Sequence, residues 1–218
     1  MSKLNVGLLR NIGLLLFVLV SAILAGCYPS HPQSTFDTLG PVSRSQLSLF
    51  YWMFWAAVIV FVVVVSALIY ALIRYRRKPG DGDPPQIHGH TKLEIIWTIL
   101  PAIVLAVIAV PTVITVFDNA NSPKSPAEGG MEVDVTAHQW FWEFKYQNPN
   151  DPKGSVFTAN ELYIPEDEVV NLNLYSKDVL HSFWIPKLAG KVDVVPNHQN
   201  SIWIKADEPG VYLGQCAE

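Results

Sequence analysis

The chain begins with three apolar runs and changes, after about residue 130, to a pattern in which apolar and polar residues alternate. The first run lies within residues 1–26, behind two basic residues, which is typical of a signal peptide. The other two span about 47–73 and 93–117, and a helix of either length, rising about 1.5 Å per residue, reaches across a bilayer. The basic cluster 74–78 lies between them and indicates a cytoplasmic loop. Residues 46–118 are therefore predicted to form a transmembrane helical hairpin.

The segment between the first two runs has features of its own. Leu24-Ala25-Gly26-Cys27 resembles a bacterial lipobox, which implies cleavage before Cys27 and acylation of that cysteine. The alternative is a retained membrane anchor with an incidental cysteine. Residues 27–45 are rich in Pro and Ser and are predicted to be an extended extracytoplasmic linker.

The second half of the chain alternates with the period of a β-strand. Apolar side chains recur at every second position in three stretches, which are 131–136, 169–175 and 201–205. Turn signals such as Glu208-Pro209-Gly210 separate such stretches, and Val211-Tyr212-Leu213 is predicted to be the last strand. Residues 130–218 are therefore predicted to form an all-β sandwich or barrel.

The charge is distributed unevenly between these parts. Residues 130–218 hold six Lys/Arg against thirteen Asp/Glu, a net charge of −7, whereas the whole chain carries −4. An acidic β domain suits a basic partner and argues against nucleic acid, although ordinary solubilising charge explains it as well. Two cysteines are too few for a disulfide scaffold.

Two residues in the β domain are candidate metal ligands. His181 follows a Lys-Asp turn, and Cys216 follows the predicted last strand. Imidazole and thiolate are ligands that copper takes in electron-transfer proteins, but one of each is too few for a copper site. From the residues alone, two buried structural side chains remain the alternative.

Two other features suggest function. In Gln139-Trp140-Phe141-Trp142-Glu143-Phe144, alternation places Trp140, Trp142 and Phe144 on one face, either as core packing or with a surface tryptophan that meets a redox partner. Glu94 lies at the cytoplasmic end of the last apolar run, where a carboxylate is either functional or a helix N-terminal acid. Pro101 and Pro111 should bend this helix, which favours packing against protein.

Taken together, five stretches resemble bacterial cytochrome c oxidase subunit II, and they occur in the order of that family. They are Glu94 to Pro101 with Pro111, Gln139 to Trp142, Asp178 to Phe183, Asp193 with Pro196, and Gly214 to Glu218. The resemblance implies a two-helix hairpin, an extracytoplasmic cupredoxin-like Greek-key barrel and a dinuclear copper centre, CuA. It also implies partners, namely oxidase subunit I with the other oxidase subunits, and cytochrome c, in the bacterial cell membrane.

The resemblance carries over residue by residue. His181 and Cys216 resemble copper ligands, and Glu218 resembles the glutamate that gives a carbonyl to copper and a carboxylate to magnesium at the subunit I interface. Trp140 resembles the residue where electrons enter and Asp178 part of the cytochrome c docking surface, while Glu94 resembles the mouth of a proton path.

The family pattern continues beyond Gly214 to Glu218 with a second cysteine, a second histidine and a methionine. We therefore expect the sequence to be truncated inside the CuA motif. Two alternatives stay open, a copper-free quinol oxidase subunit II and a membrane-anchored copper-binding or assembly lipoprotein. The CuA domain of nitrous oxide reductase is a further one, but that enzyme would not need the hairpin.

Overall fold

A computed structural model describes residues 6–25, 30–77, 79–80, 82–83, 86, 89–147 and 154–217. Three α-helices come first, and their bounds are α1 Val6–Ala25, α2 Pro41–Arg74 and α3 Thr91–Ala120. A short 3-10 turn, Pro126–Glu128, leads into eight strands. They are β1 Met131–His138, β2 Phe141–Tyr146, β3 Val156–Ala159, β4 Val170–Ser176, β5 His181–Trp184, β6 Val192–Val194, β7 Asn200–Ile204 and β8 Gln215–Cys216.

Helices α2 and α3 are both long and apolar enough to cross a membrane, and none of their most apolar 18-residue windows is buried in the chain. These two helices confirm the predicted pair of long apolar elements. Both Pro101 and Pro111 lie inside α3 without ending it. Helix α1 covers the apolar part of the predicted signal peptide, whereas the predicted lipid site, Cys27, lies outside the described residues.

The strands form two sheets around one core. The larger sheet has the order β3-β2-β1-β4-β7, with β1 and β4 parallel and the other pairs antiparallel. The smaller sheet has the order β6-β5-β8 and is antiparallel. Alternate residues of β1 and β4 point into the core, where they meet residues of the smaller sheet and its loops; they are Val133, Val135, Ala137, Val170, Leu172 and Leu174. The predicted all-β domain is therefore confirmed, with two facing layers.

The structure differs from the predicted boundaries at both ends of the hairpin. Helix α2 begins at Pro41, inside the segment 27–45 that was predicted to be an extended linker. Pro at the first helical turn suits the start of a helix, because its missing N–H is not needed there. This first turn precedes the apolar run. Tertiary contacts hold it in place instead, because Val42 and Ser43 are buried against the β domain. At the other end, α3 continues to Ala120, two residues beyond the predicted end of the hairpin at residue 118.

Two predictions about strands were wrong. Val211-Tyr212-Leu213 is irregular, and the strand that follows is the two-residue β8. Trp140 is not in a strand but in the turn between β1 and β2, so it does not share the inward face of Trp142 and Phe144. A chain reversal of two residues interrupts the alternation at that point, and alternation alone does not locate such a turn.

Candidate metal centre

The first candidate ligand, His181, opens strand β5 and is only 8% exposed. Its Nε2 lies 2.7 Å from Oδ1 of Asp178, and the indole of Trp142 meets the imidazole edge-on at 5.9 Å between ring centres. A carboxylate can only accept, so the neutral ring carries its proton on Nε2 and keeps the lone pair on Nδ1. The nitrogen available for a metal is therefore Nδ1. A carboxylate that binds one ring nitrogen of a histidine commonly fixes the tautomer and the ring orientation in this way at metal sites.

The second candidate ligand, Cys216, lies on the neighbouring strand. Strand β8 pairs with β5 so that Cys216 stands opposite Phe183, and its side chain is exposed. The backbone N–H of Ser182 donates to Sγ at 3.4 Å, and Ala217 N–H donates back to Ser182 O at 3.3 Å. These bonds hold the thiol beside the residue that directly follows His181.

Three residues that our sequence reasoning did not assign to the site support this arrangement. Ser182 is fully buried, and its hydroxyl donates to Asp193 Oδ1 at 2.7 Å. The ammonium of Lys191 donates to the carbonyl of Ala217 at 3.2 Å and lies 3.7 Å from the same carboxylate oxygen of Asp193. The alternation in Lys191-Val192-Asp193 was a signal that the two charged side chains share a face.

Asp178, which is predicted to lie on a docking surface, is an exposed residue whose carboxylate also accepts hydrogen bonds from the β domain. Besides His181, its carboxylate accepts the N–H of Val179 at 2.7 Å and the N–H of Gln139 at 2.6 Å. The hydrogen bond from His181, together with those from the two backbone amides, lowers the pKa of Asp178 to about 2. The carboxylate therefore stays ionised at any physiological pH.

Trp140 is almost fully exposed to solvent. Its side chain is 90% exposed at the tip of the β1–β2 turn. Gln139, whose N–H binds Asp178, is its direct neighbour. The structure therefore brings Trp140, Asp178, His181 and Cys216 to one part of the β domain.

Glu94 lies away from this part of the β domain. Glu94 is in the first turn of α3, where Oε1 accepts the N–H of His90 at 3.2 Å while His90 Nδ1 accepts the N–H of Leu93 at 3.4 Å. This is a reciprocal cap, and the rise of the helix separates it from the β domain by about 37 Å. Glu218 lies outside the described residues.

His181 and Cys216 are residue types that copper takes as ligands, one with an imidazole nitrogen and the other with a thiol that lies against the backbone of the next residue, Ser182. Within the described part of the chain, no group of three or more His, Cys, Asp or Glu could hold a metal ion.

Fold and site thus define a class, a two-layer β domain on a helical hairpin with a soft-metal donor pair. The family comparison is consistent with this class. Residues 30–114 match the transmembrane domain of cytochrome c oxidase subunit II, and residues 152–218 match the periplasmic domain of the same subunit. The chain belongs to the cytochrome c oxidase subunit II family. It is a membrane protein with an extracytoplasmic, cupredoxin-like domain. Strands β1 and β2, and Trp140 in the turn between them, lie between the two matched ranges.

Relatives of two kinds are similar to this chain. Cytochrome c oxidase subunit 2 of Alkalihalophilus pseudofirmus is 40% identical over 203 residues, which are 91% of this chain and 58% of that protein. Quinol oxidase subunit 2 of Bacillus cereus is 34% identical over 181 residues, 82% of this chain and 60% of that one. The chain therefore spans about three fifths of the length of these relatives.

Among solved structures, the periplasmic domain of cytochrome oxidase subunit II of Bradyrhizobium japonicum is 28% identical. The TM-score is 0.36, with 40% of this chain and 72% of that chain covered.

Proposed function

We propose that this chain is subunit II of a haem–copper terminal oxidase that takes electrons from cytochrome c. The observation that carries the proposal is the placement of the Cys216 thiol at the backbone of Ser182, next to the buried imidazole of His181. A protein that only needed the fold would have no use for an exposed thiol held at this point. A dinuclear copper centre, when bound, supplies one-electron transfer with little change of geometry.

Each residue of the site would then have a distinct task. His181 would bind copper through Nδ1 and Cys216 through its thiolate, while Glu218 would add a carbonyl to copper and a carboxylate to magnesium. Trp140 offers an exposed indole at which cytochrome c can contact the protein. The acidic surface of the β domain would attract cytochrome c, which is basic.

The membrane part would serve assembly. Helices α2 and α3 would cross the bilayer as a hairpin and pack against subunit I, which carries the haem where oxygen is reduced and protons are pumped. The two proline positions of α3 suit a helix that rests on protein rather than on lipid alone. Glu94 would stand at the mouth of a proton path, and its cap to His90 would hold the carboxylate at the membrane surface.

A quinol oxidase subunit II is the second candidate, because a relative with that name is 34% identical. The same fold would serve, but a quinol oxidase has no need of a thiol at this position. Cys216 and its hydrogen bond from Ser182 therefore favour the cytochrome c reading.

The test is to isolate the membrane complex through a tag on this chain and to assay it with reduced cytochrome c and with quinol. We expect haem-bearing subunits to copurify and cytochrome c to be oxidised. Cys216→Ser, which removes the soft ligand at nearly constant size, should abolish that activity. Gln215→Asn, in the exposed neighbouring position of β8, is the matched control and should retain it. Turnover of quinol alone would support the second candidate, and copper without haem-bearing subunits would indicate a carrier or assembly protein.

A further inference from the structure

The cytoplasmic end of the helical hairpin carries a cluster of exposed basic side chains. Arg74, Arg76 and Arg77 fall within four positions where α2 ends, and Lys92 lies in the first turn of α3. Within the described part of the chain, no ion pair involves any of these four residues. Residues 74–92 hold five Lys/Arg against two Asp/Glu, so the positive charge of the segment is largely uncompensated.

Contacts between the two helices show which of their residues lie at the same depth. Ser45 Oγ donates to Asn119 Oδ1 at 3.0 Å, near the start of α2 and the end of α3. Val60 and Val104 line one groove between the helices, and each is 15 residues further into the hairpin. The helices are therefore antiparallel and keep one register, in which each step along α2 corresponds to one step back along α3.

The same register brings the basic residues of both helices to one level. Arg74 is 29 residues after Ser45, and His90 is 29 residues before Asn119, so Arg74 and His90 lie at equal depth. Lys92 is two positions further along α3, a rise of about 3 Å. Packed helices lie about 8–10 Å apart. The four basic residues thus surround one small region at the cytoplasmic end of the hairpin.

This region lies at the depth of lipid headgroups. The apolar run of α2 ends directly before Arg74, whose guanidinium is 5.6 Å from the ring centre of Tyr75. Tyr75 in turn meets Tyr70 edge-on, with ring centres 6.4 Å apart. Tyrosines concentrate where a membrane-spanning helix leaves the hydrocarbon core. The basic residues therefore lie at the membrane surface, where phosphate groups are the nearest anions.

The residue types at this position are those that bind phosphate. A guanidinium presents a planar pair of N–H donors to two phosphate oxygens, which an ammonium cannot do. The negative end of the helix dipole accounts for Arg74 in the last turn of α2, but Arg76 and Arg77 lie beyond the helix. The positive-inside rule requires charge but does not distinguish arginine from lysine. The carboxylate of Glu94 accepts the N–H of His90 and caps α3, so it already has a partner.

We propose that Arg74, Arg76, Arg77 and Lys92 bind the phosphate of an anionic phospholipid in the cytoplasmic leaflet. Basic clusters of four or more residues next to a membrane-spanning helix attract anionic lipids, and the two free arginines supply the geometry for one headgroup. This site is separate from the candidate metal centre and requires neither copper nor cytochrome c. The competing occupant is an acidic segment of a neighbouring subunit.

The first test is native mass spectrometry of the full chain in detergent, titrated with phosphatidylglycerol or with phosphatidylcholine. We expect the wild type to bind phosphatidylglycerol more tightly. Arg76→Gln with Arg77→Gln should weaken that binding about thirtyfold, which corresponds to about 1 kcal/mol for each charge removed. Both side chains are exposed, so the fold should be unchanged. Equal affinity of the wild type for the two lipids would overturn the proposal.

Two further double variants separate a phosphate site from net charge. Arg76→Lys with Arg77→Lys keeps the charge but loses the paired donors, so binding should weaken about fivefold, as for the loss of one hydrogen bond. Lys124→Gln with Lys177→Gln removes two exposed charges on the extracytoplasmic side and should bind like the wild type. Unchanged binding by the lysine variant, or equal loss in the extracytoplasmic control, would contradict a site built from the arginines.

The assembled membrane complex shows which occupant is present there. In vesicles of phosphatidylcholine with a minor fraction of photoreactive phosphatidylglycerol, we expect crosslinks within residues 70–92 of the wild type and their loss in Arg76→Gln with Arg77→Gln. A crosslink-free segment in the wild-type complex would mean that another subunit covers it, and would overturn the proposal. A complex that binds the lipid at this segment but does not oxidise cytochrome c would refute the proposed function alone.

Discussion

At the scale of single residues, two tryptophans two positions apart have different surroundings. Trp140 is almost fully exposed in a turn, whereas Trp142 packs edge-on against His181 and against Phe183, with ring centres 5.3 Å apart in the second pair. The contacts of Trp142 lie inside the β domain, so this residue supports the candidate ligand. Trp140 contributes little to the packing of the β domain, so its exposed ring is available for contact with a partner protein.

The two tryptophans should therefore respond differently to truncation. Trp140→Ala should change the free energy of unfolding by less than about 0.5 kcal/mol, because the side chain is exposed, yet it should lower kcat with cytochrome c strongly. Trp142→Ala should destabilise the protein by about 2 kcal/mol, less than a fully buried tryptophan would cost. Thermal unfolding and steady-state oxidation of cytochrome c measure the two effects. Full activity of Trp140→Ala would remove electron entry from this residue.

At the scale of elements, the start of α2 packs closely against the loops of the β domain and forms a junction with them. Leu39 N–H donates to Lys187 O at 2.8 Å, and Ser43 Oγ donates to the same carbonyl at 2.7 Å. An ion pair of 2.6 Å between Arg44 and Asp207 lies beside them. The end of α3 joins the junction, since Asn119 O accepts the indole N–H of Trp203 at 3.0 Å. These bonds hold the β domain on the extracytoplasmic ends of both helices.

Gly40, at the start of α2, is a sensitive test of the junction. A Cβ at this position would lie 2.6 Å from Lys205 O and 2.9 Å from Leu188 O, both of which belong to the backbone. We expect Gly40→Ala to destabilise the protein by about 1–3 kcal/mol, the usual cost of overpacking, and to speed proteolysis between residues 30 and 40. Gly210→Ala, where a Cβ would meet only Tyr212 at 3.9 Å, is the control. Equal melting temperatures for the two variants in detergent would contradict close packing at this junction.

At the scale of the whole molecule, charge and apolar surface are segregated. The loop between α2 and α3 is basic, the helices are apolar, and the β domain carries a net charge of −7. The positive-inside rule assigns the loop to the cytoplasm, which leaves the β domain on the other side. Such an arrangement places the candidate metal centre on the extracytoplasmic side of the membrane.

This topology is tested with one cysteine on each side. In a chain with Cys27→Ala and Cys216→Ala, Gly210→Cys should react with a membrane-impermeant thiol reagent added to intact spheroplasts. Gly82→Cys, in the loop, should react only after the membrane is opened, because the bilayer shields the cytoplasmic side. Labelling of both variants in intact spheroplasts would contradict the hairpin.

Much of the architecture could be predicted from local patterns. Apolar length defined α2 and α3, because a bilayer sets a minimum that few soluble helices meet. Period-2 alternation located β1, β4 and β7, because successive side chains of a strand must face opposite sides. The candidate ligands His181 and Cys216 were identified as residue types that bind soft metals, without any knowledge of their separation.

Tertiary structure decided what those patterns do not contain. Trp203 is 8% exposed although Ile204, the next residue, points into the core, because the end of α3 covers the other face of β7. Asp178 binds Gln139 across 39 residues, and Ser182 reaches Cys216 across 34. Hydrogen bonds between residues so distant in the chain depend on which strands pair and in what register. The sequence of one segment does not indicate the distant segment with which it pairs.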